Sequence, residues 1–82
     1  MNRKTEKVVT YYHLGRAYDQ LGDPQKSKTF YKKALQIDPN LSPALANLAI
    51  LCSAQGNTDE AMVFLERALK ADPENPSVNL NM

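Results

Sequence analysis

The side chains able to do bond-making chemistry are few and stand apart. Cys52 is the only cysteine and His13 the only histidine in 82 residues. A lone cysteine excludes an intramolecular disulfide, in keeping with a reducing compartment. No second histidine or cysteine stands at metal-ligand spacing from His13, and only isolated acids lie near it. Zinc binding and acid–base catalysis are therefore not expected there. No glycine-rich phosphate loop occurs. The chain reads as neither an enzyme nor a cofactor carrier. Its remaining polar and aromatic groups suit recognition. The Arg16 guanidinium can take a carboxylate with two parallel bonds. The Asn47 amide offers a donor and an acceptor to a peptide bond.

Charge is uneven along the chain. Residues 1–7 hold Arg3, Lys4 and Lys7 against Glu6, a net +2. Residues 8–41 hold Arg16, Lys26, Lys28, Lys32 and Lys33 against Asp19, Asp23 and Asp38, again +2. Residues 42–75 hold Arg67 and Lys70 against Asp59, Glu60, Glu66, Asp72 and Glu74, a net −3. A basic front and an acidic rear favour head-to-tail approach of two copies. The four lysines between 26 and 33 spread around one helix without aromatic residues interleaved on the same outer face. They read as a solvated surface, and no nucleic-acid partner is expected. No apolar run approaches the roughly 18 residues of a membrane span. Polar sequence follows the basic start, so no signal peptide is read, and a cytoplasmic location is expected.

Apolar residues must place these groups, and their spacing is helical. Val8, Tyr11, Leu14, Ala17, Tyr18 and Leu21 recur at three- and four-residue steps, with Thr5 as the expected cap. Gly22 stops this helix. Asp23-Pro24 opens a second, in which Ser27, Phe30, Tyr31, Ala34, Leu35 and Ile37 form the buried stripe. Asn40 is expected to cap a third helix, carrying Leu45, Leu48, Ala49 and Cys52, with Leu51 a further candidate for the stripe. Gly56 stops it. A fourth follows Asn57, with Ala61, Met62, Phe64, Leu65, Ala68 and Leu69. Asn75-Pro76 starts a fifth that the chain barely enters.

The third and fourth helices restate the first and second. Displacing residues 8–41 by 34 onto 42–75 gives seven identities: Leu14/Leu48, Gly22/Gly56, Phe30/Phe64, Ala34/Ala68, Leu35/Leu69, Asp38/Asp72 and Pro39/Pro73. Short loops force antiparallel neighbours. A closed bundle has no reason to repeat at this interval, so the expected architecture is all-α, an α-solenoid of antiparallel helix pairs. The expected divisions are 1–7, a basic N-terminal tail that is loose over Met1–Lys4; 8–41 and 42–75, two repeats; and 76–82, the truncated start of a third repeat or a capping helix. Gly15, Ser27 and Ala34, with Ala49, Ala61 and Ala68, fall where two helices must approach closely. Tyr11, Tyr18 and Tyr31 fill the space the small residues leave. Cys52 replaces Tyr18 in the second repeat and reads as a small buried apolar residue, not a reactive thiol.

The pattern resembles the tetratricopeptide repeat (TPR) family: Tyr11, Leu14-Gly15, Tyr18, Gly22, Ser27, Tyr31, Ala34 and Pro39, then Leu45, Leu48-Ala49, Cys52, Gly56, Ala61, Leu65, Ala68 and Pro73. The resemblance implies a concave groove, lined by the first helix of each pair, that binds a peptide or partner helix. By position, the first repeat would offer Tyr12, His13, Arg16 and Asp19. The second would offer Ala46, Asn47, Ile50 and Ser53. Tyr12 and Ile50 are surplus to the core stripe and suit an apolar ligand side chain. The family's carboxylate clamp for chaperone tails uses Lys, Asn, Asn, Lys and Arg. Here those places hold Tyr12, Arg16, Asn47, Ser77 and Asn81, so only Asn47 matches and chaperone-tail binding is not expected. The alternative to a groove is self-association through the uncapped rear edge, formed by Met62, Leu65, Leu69, Val78, Leu80 and Met82. The expected partner is a protein, a peptide or a second copy.

Overall fold

A computed structural model describes residues 3–71, which form four α-helices: α1 Arg3–Gln20, α2 Pro24–Ile37, α3 Ser42–Ala54 and α4 Thr58–Ala71. No strand occurs among the described residues. The chain divides into two units, Met1–Pro39 and Asn40–Met82. In the first α1 packs on α2, and in the second α3 packs on α4. This is an all-α helical-repeat fold. The bounds of α2 displaced by 34 are those of α4, and the last residue of α1 falls on the last of α3.

The two turns inside the units are built alike. Gly22 and Gly56 have φ of 81° and 83°, where any side chain would be strained. The amide of Asp23 donates to the Tyr18 carbonyl at 2.9 Å and that of Gly22 to Asp19 at 3.1 Å. Asn57 donates to Cys52 at 2.8 Å and Gly56 to Ser53 at 3.0 Å. These are paired Schellman closures, which satisfy carbonyls the helix leaves open. Asp23 then caps α2, its Oδ1 accepting from the Lys26 amide at 3.1 Å, with Pro24 in the first turn.

Within the first unit the helices meet at the small residues. A Cβ placed on Gly15 would lie 2.7 Å from ring carbons of Tyr31. The buried Ser27 hydroxyl donates to the Gly15 carbonyl at 2.7 Å. Tyr31 is 1% exposed, and Ala34 is fully buried. The second unit fills the same positions differently. Ala49 stands at the Gly15 place and Leu65 at the Tyr31 place. A smaller side chain on α4 is matched by a larger one on α3. Leu45, Leu48, Cys52 and Ala68 are fully buried there. Complete burial of each leucine contributes about 1.5–3 kcal/mol.

Three expectations need correction. Thr5 does not cap α1, which already runs from Arg3, so the segment expected to be loose is helical from there on. Nothing between Arg3 and Lys7 breaks a helix, and Lys and Arg are good helix formers. Asn40 does not cap α3: the cap position is Leu41, and no side chain closes it. Leu21 does not extend the buried stripe. It lies in the turn past Gln20 and is 76% exposed. The fifth helix expected after Pro76 lies outside the described residues.

Gly15→Ala is expected to destabilise the fold by about 1–3 kcal/mol, because the added methyl overlaps the Tyr31 ring. Adding Tyr31→Leu, which recreates the pairing of the second unit, should return part of that loss. Urea unfolding of the two single variants and the double variant measures the coupling. Additive losses would mean that the two residues do not meet.

Candidate functional site

The first unit presents the expected α1 residues as a polar strip over one aromatic pair. His13, Arg16 and Asp19 are exposed. Tyr12 is half-buried, its ring centroid 5.7 Å from Tyr31 and 5.7 Å from His13. The Arg16 guanidinium lies 6.0 Å from the Tyr12 centroid. Tyr12 is therefore partly engaged with its own hairpin. It offers less free surface than a residue surplus to the core, while Arg16 is held where its outer edge faces solvent.

The second unit carries an apolar concavity. A cavity of about 530 Å³ is lined by Ala46, Ala49, Ile50, Ser53 and Ala54 from α3 and by Thr58, Ala61, Met62 and Leu65 from α4. Its walls are mainly apolar. Ala46 is 2% exposed and forms floor, not rim. Ile50, at 62% exposed, stands at the mouth with Met62. Asn47 is half-buried and does not line the cavity. The structure thus joins groove residues read from α3 to edge residues read from α4 in one cleft. Leu69 lies outside the cleft but is 40% exposed, whereas its counterpart Leu35 is 7% exposed. Val78, Leu80 and Met82, expected on the same edge, lie outside the described residues, as do Ser77 and Asn81.

Sequence reasoning missed an aromatic ladder on the first unit. Tyr18 and Phe30 stack with centroids 5.5 Å apart and planes 3° apart, and Phe30 continues to Tyr11 at 6.1 Å. Lys26 Nζ lies 5.4 Å from the Tyr18 centroid, and Lys33 Nζ lies 5.7 Å from both Tyr11 and Phe30. Two of the four lysines are therefore interleaved with aromatic rings, contrary to expectation. The available signal was the i, i+4, i+7 spacing of Lys26, Phe30 and Lys33, with Tyr11 and Tyr18 two turns apart on the facing helix.

At the positions of Tyr18 and Lys26, the second unit has Cys52 and Glu60. The same two places touch by a different bond: the Cys52 thiol donates to Glu60 Oε1 at 3.1 Å. Cys52 is completely buried, in line with its reading as a packing residue. Among the described residues, no group of three or more His, Cys, Asp or Glu could hold a metal ion. No described helix is long and apolar enough to cross a membrane.

Comparison with known proteins agrees with the geometry. A tetratricopeptide repeat family model matches residues 20–80, and the chain belongs to that family. Membership implies protein partners. The chain is similar to a probable biofilm formation methyltransferase, WspC, of Pseudomonas putida, with 42% identity over 64 residues. The alignment covers 78% of this chain and 15% of that protein. It is also similar to the photosystem I assembly protein Ycf3 of Prochlorococcus marinus strain MIT 9301, at 30% identity over 82 residues. That alignment covers 96% of this chain and 47% of that protein. Ycf3 of Cyanophora paradoxa is 26% identical over 84 residues, covering 85% and 49%. The chain thus spans half or less of each relative.

Because Cys52 is sealed inside the second unit, a thiol reagent should label it only through opening of that unit. The labelling rate is expected to rise with urea in step with loss of helical signal. Rapid labelling in the absence of denaturant would show that the α3–α4 contact does not close over the thiol.

Proposed function

We propose that this chain is a non-catalytic recognition module that binds an extended peptide or a partner helix through the first helix of each repeat, α1 and α3, chiefly at the cleft that α3 forms with α4. The observation that carries the reading is the apolar cleft of the second unit. Ile50 and Met62 stand exposed at its mouth above a floor of alanines. A cleft of this size admits one or two apolar side chains, and its lining is apolar apart from the Ser53 and Thr58 hydroxyls. Exposed apolar surface otherwise carries a cost in water and marks a place where another chain is received. On α1, Tyr12 offers an aromatic edge, and Arg16, with His13 and Asp19 beside it, offers polar contacts to a ligand backbone or carboxylate. Family membership supports a polypeptide as the ligand, as does similarity to proteins named for photosystem I assembly.

A second reading, self-association through the α4 edge, is favoured by one observation. Met62 and Leu69 are exposed on a helix whose counterpart buries Leu35.

The first reading is tested with peptides selected against the wild-type chain from a random displayed library. Affinity for them is then compared by fluorescence polarisation. Ile50→Asp is expected to weaken binding by about tenfold or more, since a charge would enter an apolar contact. The thermal midpoint should stay close to wild type, because Ile50 is already in solvent. Tyr12→Ala should weaken binding less, by a few-fold. Selected peptides that bind Ile50→Asp as tightly as wild type would remove the cleft from the site.

A further inference from the structure

We infer that α2 of one chain docks antiparallel on α4 of a second copy, the aromatic ladder of the first unit receiving the acidic, methionine-bearing face of the second. This rests on the self-association reading and names both surfaces. On α2, Lys26, Phe30 and Lys33 lie on one face at steps of four and three residues, and the lysines are exposed. Their ammonium groups are held over Tyr18, Phe30 and Tyr11. On α4, read in the opposite direction, Glu66, Met62 and Asp59 follow at the same steps of four and three, and all three are exposed. Seven residues of helix rise about 10.5 Å, so both charge pairs can close together. Lys26 then meets Glu66, Lys33 meets Asp59, and the Met62 thioether comes against the Phe30 ring, a favourable sulfur–aromatic contact.

The pairing is selective because the two helices are not interchangeable, although they hold equivalent places in the repeat. The α2 places equivalent to Asp59, Met62 and Glu66 hold Gln25, Lys28 and Lys32. The α4 places equivalent to Lys26, Phe30 and Lys33 hold Glu60, Phe64 and Arg67. An α2–α2 contact on the ladder face would set lysine on lysine, and an α4–α4 contact on the acidic face would set acid on acid. Like charges in such positions disfavour the symmetric pairs. The fit is heterologous, between two different surfaces. The charge split along the chain is of the same sense.

The test is sedimentation velocity over a concentration series, at low salt and at physiological salt. Lys26→Glu/Lys33→Glu and Asp59→Lys/Glu66→Lys are run alone and mixed. All four positions are exposed, so circular dichroism is expected to show unchanged helicity. If a double charge reversal does not fold, Lys26→Gln/Lys33→Gln makes the same test with a smaller loss. The wild-type chain should sediment as more than a monomer, and less so as salt rises. Each reversed variant alone should associate about tenfold or more weakly. The equimolar mixture, which again sets acid against base, should recover association. A monomeric wild type at hundreds of micromolar would overturn this contact and the self-association reading together. Variants that associate as well as wild type would overturn this contact alone and leave self-association to another surface. Monomeric variants whose mixture stays monomeric would also overturn it.

Discussion

The first unit depends on how closely two helix backbones can approach at Gly15, and the second meets the same demand at the matching positions. The Tyr31 ring occupies the space where a side chain would begin, and the Ser27 hydroxyl bonds to the carbonyl beneath it. One contact thereby combines a large buried aromatic area with satisfaction of a buried polar group. It also decides which faces of the hairpin are used up. Residues pointing into the approach belong to the fold. Tyr12 at its margin is half engaged, and His13, Arg16 and Asp19 remain for solvent or a ligand. The second unit reaches the same end by trading sizes, with Ala49 against Leu65. The exchange leaves an open cleft lined by both residues, where the first unit has the Gly15–Tyr31 contact.

Much of this was legible before any coordinates, for a physical reason. Steric demands leave few choices of residue. Only glycine is comfortable at φ near +80°, so Gly22 and Gly56 announced both turns. Asp23-Pro24 announced the start of α2, because an acceptor before a donor-free residue suits an open helix end. Gly15, Ser27 and Ala34 announced the close approach by their size. What stayed hidden depends on degenerate choices. Leu41 caps α3 without a side-chain bond, although Asn40 stood beside it. Thr5 favours a cap, but its cost in a helix interior is only about 0.7 kcal/mol or less, too little to fix the helix start. Leu21 continued the apolar period by one step past the last helical residue, and no local signal marks that step as surplus. For the candidate site, Ile50 was legible as apolar beyond the core. That it shares a cleft with Met62 was not, because the cleft depends on how α3 and α4 lie against one another.

The two units also show how a repeat diverges while its contacts persist. Tyr18 and Lys26 meet as ring and cation, while Cys52 and Glu60 meet as thiol and carboxylate. The spatial relation survives a change of both partners and a reversal of charge. Charge in this protein is therefore free to vary around a fixed hairpin, and it has done so with opposite sign in the two units. Recognition is the function such variation can tune.

The most direct measurement is a proton NMR spectrum of the isotopically labelled chain, read at Gly15. With the Tyr31 ring in contact, the Gly15 α-protons should be displaced well upfield by the ring current and should show strong nuclear Overhauser effects to the ring protons of Tyr31. Gly15 α-protons at ordinary helical shifts, with no such effects, would mean that α1 and α2 do not close on one another there, and the hairpin that carries Tyr12, Arg16 and the aromatic ladder would be wrong.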